Sequence, residues 1–298
     1  MAIKTLDAFI HKAKIKPIKK IAVVCAEDEP VLQSIKEAYS FGIIEPILVG
    51  DSDKIRFIAD SIKFDLSKIK IISQSDERKS AATAVSLVRD DEAQILMKGL
   101  INTADFLRAL LDKEKGLPKT GILSHIAFFE TKYYHKLIAL TDAAQNIAPT
   151  LEDKINIIKN SVDFFHRIGV SKPKIAAIAA VETINTKMEA TVHAAILTMM
   201  NRRKQIKGCI IDGPLGFDNA VSKEAAKHKG IDSDVAGDTD LILAPNIEVG
   251  NVIYKALTYF GGAVVAAVIL GSPAPIVLTS RSDSDRSKLM SIALASAF

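Results

Sequence analysis

Tryptophan is absent from this 298-residue chain, and only two cysteines occur, Cys25 and Cys209. Both lie inside apolar runs (IAVVCA and GCIID) without zinc-type spacing. Neither a disulfide framework nor a cysteine metal site is expected, and the compartment reads as reducing and cytoplasmic. An excess of one charge is lacking too: 39 Lys and Arg against 35 Asp and Glu leave +4. That is too mild and scattered for a nucleic-acid footprint, though it suits a small polyanionic ligand. The first 20 residues carry six lysines and only broken apolar stretches, so no secretory signal is expected there. Residues 256–280 carry no charge, but Gly271, Ser272, Pro273 and Pro275 cut them into VVAAVIL and PIVL. Two buried strands are expected there, since a membrane helix needs about 20 unbroken apolar residues.

Familiar motifs are missing as well. No GxGxxG, GxxxxGK[ST], HExxH or GxSxG occurs, which removes the dinucleotide fingerprint, the P-loop, the zincin site and the hydrolase serine elbow. The six histidines (11, 125, 135, 166, 193 and 228) are scattered, and each is expected to be a surface or satisfied core residue. Metal-free chemistry is the expectation.

The composition itself is that of a globular chain, 48% hydrophobic and 25% charged with 15 Gly and 10 Pro, which excludes disorder and low-complexity function. Short Val/Ile/Leu/Ala runs alternate with segments of helical length over the whole sequence: IAVVCA, PILVG, IKII, AQILMKG, GILSHIAFF, LIALTD, KIAAIAA, GCIID, LILAP, VVAAVIL and PIVLTS. Runs without polar alternation are strands buried on both faces, the mark of parallel sheets covered by helices. LEDKINIIKNSVDFFHRIG places apolar residues at 155, 158, 162, 165 and 168 and predicts a helix stopped by Gly169. The length and the APTLEDK stretch point to two α/β domains: residues 1–148 with 279–298, and residues 149–278.

Open α/β sheets bind ligands at the carboxyl ends of their strands. In PIVLTSRSDSDRSKL a strand feeds Ser280, Arg281, Asp283 and Asp285 into a C-terminal helix. A cation at a helix N-terminus opposes the dipole unless an anion sits there, so Arg281 points to a phosphate or carboxylate site, with a surface salt bridge as the alternative. In MKGLINTADFLRALL, Lys98 and Gly99 end a strand, Asn102 or Thr103 caps a helix, and Arg108 follows; this too suits an anion, or is a plain capped helix. LTDAAQNIAP ends a strand with Asp142 and Asn146, and APNIEVGNVIYKAL carries Asn251 at a helix start.

These segments, together with GCIIDGPLGFDNAVS and VAGDTDLILAPNIEVGNVIYKAL, lie in one series over nearly the whole chain. In that series the sequence resembles the phosphate acetyl/butyryl transferase family, through the run from Pro245 to Lys255 and the Ser280–Arg281 pair, with DGPL and TSRSDS closer to the butyryl branch. The resemblance implies reversible transfer of an acyl group between coenzyme A and inorganic phosphate. It also implies two α/β/α domains of the isocitrate/isopropylmalate dehydrogenase type with a cleft between them. Coenzyme A is then a substrate, no cofactor stays bound, and neither nucleic acid nor membrane is a partner. A homo-oligomer, dimer or higher, is expected in the cytoplasm.

The expected catalytic residues are Ser280, Arg281 and Asp285. Arg281 would stabilise charge, Ser280 would bond the sulfur or reacting oxygen, and Asp285 would move the thiol proton. Lys98, Gly99, Asn102, Thr103, Arg108, Asp142, Asn146, Asn251 and Asp283 would bind substrate. The resemblance implies a catalytic aspartate in the acetyl branch at a position that falls near Ser287 here, and there this sequence departs from that branch, with Asp283 and Asp285 the nearest carboxylates. The alternatives are an acetyl-CoA-specific enzyme, a related-fold dehydrogenase and a non-catalytic CoA-binding module.

Overall fold

The computed structural model describes residues 3–117, 121–278 and 283–298. From Asp7 the chain runs α1 (Asp7–Lys14), β1 (Lys19–Val24), α2 (Glu29–Ser40), β2 (Ile44–Gly50), α3 (Ser52–Ser61), β3 (Lys70–Ser73), α4 (Glu77–Arg89), β4 (Ile95–Lys98) and α5 (Thr103–Leu110). There follow β5 (Ser124–Glu130), β6 (Ile138–Thr141), α6 (Leu151–Arg167), β7 (Lys174–Ile178), α7 (Glu189–Arg202), β8 (Ile210–Leu215), α8 (Phe217–Val221), α9 (Lys223–His228), β9 (Leu241–Leu243) and α10 (Ile247–Lys255). A π-helical turn (Ala256–Phe260), β10 (Val264–Leu270), β11 (Ile276–Val277) and α11 (Asp285–Ser296) come last. Two compact units result, one of Asp7–Thr120 with Ala266–Phe298 and one of Met1–Leu6 with Gly121–Val265.

In the first unit β1, buried from Ile21 to Val24, pairs in parallel with β2 on one side and β4 on the other. The order is β3-β2-β1-β4-β11, and β10 runs antiparallel to β11. Side chains one residue ahead of the helices satisfy their free N–H groups: Asp51 accepts from Asp53 and Lys54, and Asp76 from Lys79. The apolar C-terminal helix α11 belongs to the core, for every residue from Ser287 to Ser296 is buried. Lys16 and Lys19 donate to the last carbonyls, Ala297 O at 2.5 Å and Phe298 O at 2.6 Å, where the helix dipole favours cations.

In the second unit β6, β9, β7 and β8 are parallel in that order, and β5 runs antiparallel to β6. Helix α6 forms as its periodicity predicts. Thr150 Oγ1 accepts the Asp153 N–H at 3.2 Å, the Asp153 carboxylate accepts the Thr150 N–H at 2.9 Å, and Gly169 leaves the helix at φ +89°. Its apolar face brings the Phe164 and Phe165 rings to 6.0 and 5.3 Å from Phe128. Among the described residues no helix is long and apolar enough to cross a membrane.

Two features differ from a reading in parallel strands with breaks at 148/149 and 278/279. Residues 131–137 and 271–275 are too short for a helical crossover, so β5–β6 and β10–β11 close as antiparallel pairs. The units divide at 120/121 and 265/266 because β6 pairs with β9, while β11 pairs with β4.

At the amino ends of β6, β7 and β9 a charge network ties the second unit together. Lys136 Nζ, buried, donates to Asp240 Oδ1 at 2.5 Å and to Asp238 O at 2.9 Å; Lys174 Nζ and His135 Nε2 meet the Asp238 carboxylate at 2.7 and 2.8 Å. Burial alone would raise the Asp238 carboxyl, but hydrogen bonds from Lys174, His135 and Lys136 outweigh it and hold it well below the usual range. Its stabilisation is therefore complete above the unfolded value of about 3.9 and lost as pH falls toward the folded one. Asp238→Asn is expected to cost about 1–3 kcal/mol at pH 7. The gap in thermal midpoint should close below about pH 4, and a gap that ignores pH would contradict this assignment.

Candidate functional site

In the first unit the strand order reverses between β1 and β4, so their carboxyl ends flank the crevice where such sheets take ligands. β4 ends in Lys98, buried, whose Nζ donates to Gly99 O at 3.2 Å. Gly99 runs against the end of β1: its N–H donates to Val24 O at 2.8 Å, and the next N–H, of Leu100, to Cys25 O at 2.8 Å. A Cβ on Gly99 would stand closer than 3.0 Å to both of those carbonyl oxygens. Cys25 itself turns the chain in the left-handed region, φ +48°, a conformation that costs a non-glycine residue energy and is concentrated at functional sites.

Asn102 caps α5 as expected, its Oδ1 accepting the Asp105 N–H at 2.8 Å, with Thr103 as the first helical residue. Arg108 pairs with the Asp105 carboxylate, which Arg78 also meets at 3.2 Å. The Asn102 amide, with Arg78 and Arg108, holds the Asp105 carboxyl below its usual range. Asp283 precedes α11, its carbonyl accepting from Lys288 Nζ. Asp285 is exposed in the first turn of that helix. Ser280 and Arg281 lie outside the described residues.

In the second unit Asp142, Asn146 and Asn251 come together. Asp142 directly follows β6 and is buried, and its carboxylate accepts four hydrogen bonds. Oδ2 takes the His125 N–H at 3.1 Å and Asn146 Nδ2 at 2.6 Å; Oδ1 takes the N–H groups of Ala144 and Gln145 at 2.8 and 2.9 Å. Asn146 also donates to Leu123 O at 2.8 Å, and Asn251 to Ala143 O at 3.3 Å. Gly250 lies so close that a Cβ there would meet Asp142 O at under 3.0 Å. This loop is thus clamped by its own polar side chains. His125 is buried behind it with its ring 6.0 Å from Tyr254. Burial pushes that imidazole down, against the pull of Asp142.

Cationic and N–H-lined strand ends suit phosphate, and the comparisons bear on this. The sequence pattern described as "Phosphate acetyl/butaryl transferase" matches residues 5–83 and 76–296. The chain is 49% identical to phosphate butyryltransferase of Clostridium acetobutylicum, over 98% of this chain and 97% of that one. It is 40% identical to phosphate acetyltransferase of Thermotoga maritima, over 98% and 99%. The crystal structure of a branched-chain phosphotransacylase from Enterococcus faecalis superposes with a TM-score of 0.82 at 36% identity, covering 94% of this chain and 98% of that one. The chain belongs to the phosphate acetyl/butyryl transferase family. It is a phosphate acyltransferase with a mixed α/β fold, and it moves an acyl group reversibly between coenzyme A and phosphate.

Proposed function

We propose that the chain prefers butyryl-CoA to acetyl-CoA and that phosphate attacks the thioester directly, with both substrates bound. A phosphate oxygen bonds to the carbonyl carbon, the carbon–sulfur bond breaks, and the thiolate departs. Support for direct attack comes from the cysteines: burial pushes the Cys25 thiol up to about 12 and the Cys209 thiol up to about 11. A thiol needs its thiolate form to act as a nucleophile, so neither is set up to carry an acyl group. Support for butyryl comes from the higher identity to the relative of that name, 49% against 40%.

In this reading Lys98 and Gly99 receive phosphate with the α5 amino end (Asn102, Thr103 and Arg108), while Arg281 and Ser280 stabilise the oxyanion and the sulfur. Asp142, Asn146, Asn251 and Asp283 shape the loops around the substrates. A homo-oligomer, the cytoplasm and no bound cofactor go with it, as the resemblance implies. Initial velocities with butyryl-CoA and phosphate varied together should give intersecting double-reciprocal lines. Parallel lines, with a trapped acyl-protein, would overturn direct attack.

A further inference from the structure

The second unit has a small cavity where β7 and β9 end. Ile178, Leu243 and Pro245 line it from the strand ends, and Ala194 and Leu197 of α7 line it from the helix layer. All of those side chains are apolar. Its volume is about 10 Å³, room for one body the size of a water molecule. Two polar side chains also line it, Lys154 from the first turn of α6 and His193 of α7.

Lys154 is 3% exposed, and no carboxylate of a described residue comes within 4.0 Å of its ammonium. Its Nζ lies 2.9 Å from His193 Nδ1. An ammonium only donates, so Nδ1 accepts and the neutral ring keeps its proton on Nε2. The remaining ammonium N–H groups have no acceptor among the described residues. Glu189 stands at the ring's other nitrogen, 3.9 Å from Nε2, with its side chain 81% exposed. Burial pushes the Lys154 ammonium down against the pull of Glu189, and the helix dipole disfavours a cation in the first turn. A buried charge is expensive without a counter-charge beside it, and this chain places none there.

We propose that Lys154 and His193 bind a small monovalent anion of halide size, which supplies the missing counter-charge. Size decides the class, because phosphate and acyl chains are several times too large for a space that holds one water. The anion is therefore distinct from the phosphate that receives the acyl group. It accepts the remaining Lys154 N–H groups, and the apolar walls keep bulk water from competing for them. Bound there, it links α6 to α7 over the ends of β7 and β9, so its occupancy stabilises the second unit.

The test follows thermal unfolding of the full chain at neutral pH while sodium chloride or bromide replaces sodium gluconate at constant ionic strength. Gluconate is too large for the cavity. In wild type Tm should rise with halide and level off, by about 2–4 °C in all. Lys154→Met removes the charge and should abolish the rise. His193→Asp places a carboxylate of the chain beside Lys154; it should abolish the rise too, while Tm in gluconate stays at or above that of wild type. This second variant serves should Lys154→Met fail to fold. Crystals grown in bromide should show its anomalous peak beside Lys154 Nζ. A wild-type Tm that is the same in halide and gluconate, a rise that persists in His193→Asp, or bromide absent from the cavity would each overturn the assignment.

Discussion

Asp142→Ala is expected to cost more than about 3 kcal/mol of stability, a large share of the roughly 5–15 kcal/mol that a folded protein has in hand. The carboxylate is 3% exposed and accepts three main-chain N–H groups besides the Asn146 amide. Alanine leaves those donors inside the protein with no acceptor, and each buried unsatisfied donor costs about 1–3 kcal/mol. Asp142→Asn keeps one oxygen for the Ala144 and Gln145 N–H groups but turns an amide toward the donors of His125 and Asn146. It should fall between alanine and wild type. Denaturant unfolding followed by circular dichroism checks the order; an alanine variant within about 0.5 kcal/mol of wild type would show that the clamp contributes nothing.

Gly99→Ala should be at least as severe, because the obstacle is backbone. The added Cβ would overlap Val24 O and Cys25 O, and these carbonyls accept the Gly99 and Leu100 N–H groups that join β4 to β1. Neither strand can yield: β1 is flanked by β2 and β4, and Ile21 to Val24 are fully buried. Loss of soluble protein, or of more than about 3 kcal/mol, is the expected outcome. Gly42→Ala is the control. Gly42 also has an unfavourable φ for alanine, +70°, but nothing lies within 4 Å of the new atom, so its cost should stay near the about 1–2 kcal/mol of left-handed strain. Equal costs at the two positions would contradict the packing argument.

Much of this architecture is legible in the amino-acid sequence because its signals are local. The apolar period and Gly169 place α6, VVAAVIL coincides with β10, and strand-ending polar residues mark Lys98, Asn102 and Asp142. What sequence does not carry is pairing. Nothing in GILSHIAFF or PIVLTS tells an antiparallel partner from a parallel one; only the short connections after them do. The same limit applies to Arg108, whose ion pair with Asp105, one turn earlier, cannot be told in the sequence from an arginine left open to an anion. Asp238 and Asp240, of open role in the sequence, are structural clamps at the ends of the strands away from the ligand side.

The most direct test of the account is thiol release from butyryl-CoA by the purified protein, with and without inorganic phosphate and with acetyl-CoA in parallel. Two extra methylenes in a fitted pocket are worth roughly 1–3 kcal/mol each. Release should therefore depend on phosphate and run at least about tenfold faster in kcat/KM with butyryl-CoA. Faster turnover of acetyl-CoA would contradict the substrate assignment, and release that ignores phosphate would contradict transfer to phosphate itself.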